Sequence, residues 1–490
     1  MNRTSDPAAD LLLSFVEFDI PRTPKSKDKT IKYEEIIGGN LKEEVVQMLK
    51  TGTQQRRLLV QGLTYAGTTP NPQNVIAAVN SYLPSVWRIQ KSLETSKDTL
   101  IKLQKPLAFT WKSGLVPYGE DRSLTESVFI YEVAIILVVR ALSHYNAARE
   151  EIYRAVQAID NKESMNAMFK AGVTELRTGA GVLDYVAKYL QNWKKPPKMP
   201  IPEVDRRCLV GLQNYFLCQA QRILIARTIL DKKYGIVPKL LLGLSVRFDT
   251  CLNYFRHATP MLQEVVEECM LMTTNVPALI FKYLAADIRN KIDSGTTADD
   301  MEIAFGKAVG FATRANAAFL TGPSPGVAKS KRLGRILVDE RAVITEMYNE
   351  TVDMNATIYF GPVDMDEAIL PSRSEAKFLP QPIEYEAPPV EPLSFVQVPR
   401  APPGVDQKVF EQMPVDIQNE LWEQHRAELA ASKDKMEESD QKGKKKKKKN
   451  KKKNKKNQPE LPPGYDRSTF EELPKELQKE ILDDYMKNRK

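Results

Sequence analysis

Residues 206–233 read RRCLVGLQNYFLCQAQRILIARTILDKK. Apolar side chains recur along this stretch at spacings of three and four, the period that gathers them on one face of an α-helix. No proline interrupts it. The same pattern extends to both sides, from about Leu11 to Pro371, with proline falling mostly between the periodic segments. The spacing predicts helices over 41–49, 74–103, 124–158, 164–193, 206–233, 239–271, 277–292, 298–320 and 330–355. Alternation of the strand type is confined to short pieces near 11–20 and 109–112. The expected fold class is all-α.

The chain has 490 residues, 42% of them hydrophobic, enough for a substantial core. Its formal charge of +8 is a local effect. Residues 442–456 hold 12 lysines and no acid, so the remainder sums to 8 − 12 = −4. A nucleic-acid-binding face spread over the fold is therefore not expected. Cys208, Cys218, Cys251 and Cys269 sit in apolar helical stretches without CxxC spacing, which argues against a disulfide framework or a zinc site. The N-terminus lacks a signal-type pattern, and Val128 to Leu142, the most apolar stretch, carries Glu132 and Arg140. A soluble protein of a reducing compartment is expected.

No pattern suggests catalysis or a cofactor. The three histidines, His144, His257 and His425, have no metal-ligand spacing. The glycines at 179 and 181 lie inside a helical pattern, not in a phosphate-cradling loop, and no nucleophile elbow is present. Paired acids such as Glu267 and Glu268 are expected on a solvated helix face.

Beyond the helical region, residues 371–403 contain nine prolines, which predicts an extended linker. The expected organisation is a helical domain over 11–375, a proline-rich linker over 376–403, a short motif over 404–424, a charged lysine-rich linker over 425–461 and a second motif over 462–486. The two motifs form an internal repeat with a period of 60 residues. They read PPGVDQKVFEQMPVDIQNELW over 402–422 and PPGYDRSTFEELPKELQKEIL over 462–482.

Each copy predicts two short helices joined at a proline, the second beginning just after it. Phe410, Met413, Ile417 and Leu421 supply four apolar groups in the first copy, as do Phe470, Leu473, Leu477 and Ile481 in the second. About twenty residues cannot bury that surface alone, so each copy needs a partner, and duplication favours a multivalent ligand. The pattern resembles the ubiquitin-binding motif of Y-family translesion polymerases. The resemblance implies contact through Met413, Pro414, Ile417, Gln418 and Leu421, and through Leu473, Pro474, Leu477, Gln478 and Ile481. Met413 stands in place of the usual leucine, and Leu477 in place of the usual isoleucine.

The lysine run reads first as a solvated spacer. It also suits contact with an anionic membrane, or a nuclear address. It has no interleaved aromatics for base stacking.

The phrase FTWK over 109–112, the long apolar helix that follows with Tyr131-Glu132, and QAQ over 219–221 resemble the Bro domain of ALIX-like endosomal adaptors. The segments FKAGVTELRTGAGVLDYV over 169–186 and IYFGPVDMDEAILP over 358–371 agree in order. That resemblance implies an elongated, curved body with a tetratricopeptide-like hairpin core that binds the C-terminal helix of an ESCRT-III subunit. By position, its apolar groove centres on Leu224, Val237 and Leu241. Val139, Arg222 and Pro238 depart from the family's usual residues. Together the two resemblances imply a non-enzymatic adaptor that captures ubiquitinated cargo for endosomal sorting, with a nuclear ubiquitin reader as the alternative.

Overall fold

The computed structural model describes residues 6–24, 31–38, 41, 43–63, 70–95, 102–103, 105–117, 120–295, 300–319 and 333–393, and residues 401–406, 409–410, 413, 417–418 and 420–427 of the tail. The chain divides into two compact units, Met1–Val396 and Gln397–Lys490.

The first unit is all-α, as the periodicity predicts. Its helices are α1 (Pro7–Leu13), α2 (Tyr33–Ile36), α3 (Glu43–Leu63), α4 (Pro72–Thr95), α5 (Phe129–Gln157), α6 (Lys162–Tyr189), α7 (Arg206–Leu230), α8 (Val237–Arg256), α9 (Gln263–Asp293), α10 (Met301–Ala318) and α11 (Gly334–Met354). From α3 onward each helix packs on the next, the signature of stacked hairpins. The short α1 breaks this order by packing on α7 and α11. Among the described residues there are also two small antiparallel sheets: β1 (Ile37–Gly38) with β2 (Lys102–Leu103), and β3 (Phe109–Lys112) with β4 (Ser123–Glu126).

Some boundaries differ from the sequence reading. The stretch expected as one helix over 239–271 is broken between α8 and α9, whereas Pro277 lies inside α9 instead of starting a helix. A proline removes one intrahelical hydrogen bond. Packing of α9 against both α8 and α10 holds the helix together despite that loss. Helices α5 and α9 are long and apolar enough to cross a membrane. However, 83% and 67% of their most apolar windows are buried inside the fold, so both are core helices.

Buried charges tie distant segments together. Glu132 on α5 has no exposed surface and accepts from the Nε of Arg56 on α3 at 2.7 Å and from the indole N–H of Trp111 on β3 at 2.7 Å. Burial raises the phenol of Tyr33, beside this cluster, well above its usual range. Arg222 is fully buried and paired with Glu268 of α9. It also donates to the carbonyls of Leu11 and Ser14, holding the N-terminal segment on α7. This corrects the expectation for Glu268: it is an interior acceptor for Arg222, Gln219 and Tyr215 and does not lie on a solvated face. The third cluster joins Lys282 of α9 to Glu340 of α11 at 2.8 Å and to Asp6 at 3.6 Å. All four cysteines are buried and free.

Candidate functional site

The C-terminal leg of the first unit is extended, as its prolines require, but it is not a free spacer. Residues 372–393 form a strap that crosses the helices in reverse order. Lys239 on α8 pairs with Glu375 at 3.0 Å and accepts, through its carbonyl, the N–H of Lys377. The Gln221 side chain on α7 donates to the carbonyl of Lys377 at 3.0 Å and accepts from the N–H of Leu379 at 3.2 Å. Arg247 lies 4.6 Å from the ring centre of Phe378. The strap then meets α6, where Arg177 bonds the carbonyl of Gln381 and the N–H of Ile383. On α5, Arg140 lies 5.0 Å from the ring centre of Tyr385, and on α4 Lys91 and Ser92 bond Val390 and Leu393.

Glycine makes two of these crossings possible. A Cβ at Gly243 would lie 2.1 Å from the carbonyl oxygen of Lys377, and one at Gly181 would lie 1.7 Å from that of Ile383. Gln221 and Gly243 were not singled out for this role from sequence, because the partner they serve lies over a hundred residues away.

The helical groove departs from its expected form. Leu224 is half-buried on the outer side of α7. Val237 and Leu241 have no exposed surface at all. Pro238 fixes the first turn of α8, so the helix starts at Val237 and its inward stripe runs Val237, Leu241, Leu244, Phe248, all at 0% exposure. Ile236, 39% exposed, is the apolar group that the start of α8 presents outward. Val237 and Leu241 are therefore core residues, a correction to their expected place in an open groove, whereas Leu224 and Ile236 keep apolar surface exposed.

The first tail motif is partly described. Phe410 has no exposed surface, Met413 and Leu421 are half-buried, and Ile417 is 45% exposed. Gln418 turns inward. Its amide donates to the carbonyl of Phe410 at 2.8 Å and to that of Met413 at 2.9 Å, so both amide hydrogens are used within the motif. The carbonyls it caps lie at the end of the first short helical turn, where carbonyls run short of backbone N–H donors; that of Phe410 also accepts the N–H of Met413 at 3.2 Å. Pro414 and the whole second copy, with Phe470, Leu473, Pro474, Leu477, Gln478 and Ile481, lie outside the described residues. Among the described residues no three of His, Cys, Asp and Glu converge to hold a metal ion.

Successive helices packed as stacked hairpins, with an extended strap held across them, define a helical-hairpin scaffold. A BRO1-like domain matches residues 82–421, 340 of the 490, and the chain belongs to that family. A ubiquitin binding region matches residues 457–485, the second tail copy. Among solved structures, the fold is similar to the one titled "ALIX BRO1 CHMP4C complex", with a TM-score of 0.59 at 15% identity over 78% of this chain and 99% of that one. ALIX in complex with the SIVmac239 PYKEVTEDL late domain gives 0.57 at 15% over 85% and 56%. "Structure basis for endosomal targeting by the Bro1 domain" gives 0.53 at 14% over 75% and 93%. A comparison with curated proteins returned no match.

Proposed function

We propose that this protein is a non-enzymatic adaptor that binds ubiquitin through its tail and couples ubiquitinated cargo to ESCRT-III-type endosomal sorting through its BRO1-like body. The observation that carries the proposal is the joining, on one chain, of a BRO1-like domain with a ubiquitin binding region. The complex with CHMP4C named for the similar ALIX domain supports an ESCRT-III helix as the partner of the body. Leu224 and Ile236, apolar and outward at the α7–α8 hairpin, are the anchors that suit it.

The tail works by avidity. About forty residues separate the two copies, a root-mean-square span of roughly 35 Å for a flexible chain. Tethering two weak sites raises the overall affinity by about two to four orders of magnitude. The lysines of 442–456 add attraction to an anionic cytoplasmic leaflet, about 1 kcal/mol for each lysine near the surface. In this reading the working place is the cytoplasmic face of the endosome.

Ubiquitin binding by the full chain, measured by NMR shifts on labelled ubiquitin, tests the tail. Shifts confined to one apolar face, and lost when Met413, Pro414, Leu473 and Pro474 are changed to alanine, are expected. Intact binding by that variant, or a nuclear location that depends on 442–456, defeats the reading.

A further inference from the structure

A second candidate surface is carried by the segment that follows α11. The segment IYFGPVDMDEAILP, singled out in the sequence, follows α10 closely. A Cβ at Gly306 of α10 would lie 2.0 Å from the carbonyl oxygen of Pro362, so only glycine lets the two backbones meet. Tyr359 stacks on Phe305 of α10 with ring centres 4.0 Å apart. The Asn355 side chain brackets Gly361, donating to its carbonyl at 3.0 Å and accepting its N–H at 2.9 Å, and the N–H of Phe360 reaches the carbonyl of Asn355 at 2.7 Å.

This clamp leaves Phe360 in the left-handed region, at φ 53, with 70% of its surface exposed. An aromatic residue at positive φ costs free energy, and an exposed ring returns nothing by burial to offset that cost. The fold therefore over-determines an outward-pointing phenylalanine. Ile358 and Val363 beside it in the chain are 59% and 45% exposed, and Met301 and Ile303 on the first turn of α10 are 54% and 46% exposed. Exposed apolar groups concentrated in this way mark an interaction surface.

The charge around it selects the partner. Glu302, Asp353, Asp364 and Asp366 are all exposed here. Of the nearby cations, Lys307 is paired with Glu367 at 3.0 Å and Arg314 is bonded to the carbonyl of Met365 at 2.9 Å. We propose that Phe360 is the anchor of a docking surface for a basic amphipathic helix of a partner protein. The helix's apolar stripe covers Phe360 and its neighbours, and its lysines or arginines face the acidic rim. An anionic membrane is disfavoured by the same carboxylates.

The probe is a fluorescein-labelled peptide of about 18 residues, with leucine at spacings of three and four and lysine elsewhere, titrated against the full chain. Phe360→Gly is expected to weaken binding at least about tenfold while leaving the melting temperature unchanged or higher, because glycine accepts positive φ. Asp364→Asn with Asp366→Asn should weaken binding most at low salt. Met199→Ala, which alters a residue 83% exposed outside this surface, should leave binding unchanged. Equal binding by Phe360→Gly, equal loss with Met199→Ala, or a lower melting temperature in Phe360→Gly overturns the proposal. Sedimentation with phosphatidylcholine vesicles that depends on Phe360 overturns it in favour of a membrane contact.

Discussion

Trp111 gives its indole N–H to the carboxylate of Glu132 at 2.7 Å, in a site where both side chains have no exposed surface. This bond is the physical content of the FTWK phrase and the acid that follows it. The β3 strand delivers the indole and α5 delivers the carboxylate. Arg56 of α3 neutralises it from the other side at 2.7 Å.

Removing the indole takes a donor from the buried carboxylate, and removing Arg56 leaves the Glu132 charge buried without a counter-charge. Trp111→Phe should lower stability by about 1–3 kcal/mol, and Arg56→Met by about 3–5 kcal/mol. Chemical unfolding curves check both. Loss of less than about 0.5 kcal/mol in Arg56→Met would show that Glu132 finds another partner.

The Gln418 clamp predicts a separation between contact and positioning in the first tail motif. In a chain whose second copy is silenced by Leu473→Ala and Pro474→Ala, Gln418→Glu keeps the size but loses both donors. Two hydrogen bonds at about 1 kcal/mol each amount to roughly a 10- to 30-fold loss of ubiquitin affinity. Ubiquitin titration by calorimetry measures it, and an unchanged affinity sinks the positioning role.

Glu340 predicts a pH dependence. Burial raises its carboxyl to about 7, opposed by the attraction of Lys282 and helped by repulsion from Asp6. A folded-state value above the unfolded one means the group favours folding while protonated. That contribution is complete below about 4.5 and is lost as pH rises to about 7, a difference of about 3 kcal/mol. Thermal melts of the parent protein and Glu340→Gln between pH 5 and 8 should therefore show the parent losing ground as pH rises. Parallel curves would refute it.

The strap predicts a local effect at α8. A side chain at Gly243 collides with the backbone of Lys377, so Gly243→Leu should lift residues 375–383 from α7 and α8. Hydrogen exchange at the Leu379 and Ile383 amides, each bonded to the body, should accelerate by at least about tenfold. Protection equal to that of the parent protein would show that the strap is held elsewhere.

At the groove, Leu224→Asp should abolish binding of an ESCRT-III C-terminal helix with little change in stability, because Leu224 is half-buried on the outer side of α7. Leu241→Asp should instead unfold the hairpin, since it places a charge in the core. Pull-down and melting of the two variants distinguish the roles, and binding by Leu224→Asp at the parent level would remove the groove from the proposal.

The sequence by itself determined the all-α class, the helical identity of segments such as 206–233, and the duplicated tail motif. These are local properties, because periodicity and repetition are written along the chain. Only the tertiary structure decided which face of α8 points inward, that Glu268 answers Arg222, that Gln221 and Gly243 hold the strap, and that Phe360 is turned out. Each of these depends on a partner far away in sequence, and spacing within one helix says nothing about what packs against it. Pro238 was the one visible clue to the facing of α8, because a proline in the first turn fixes where the helix begins.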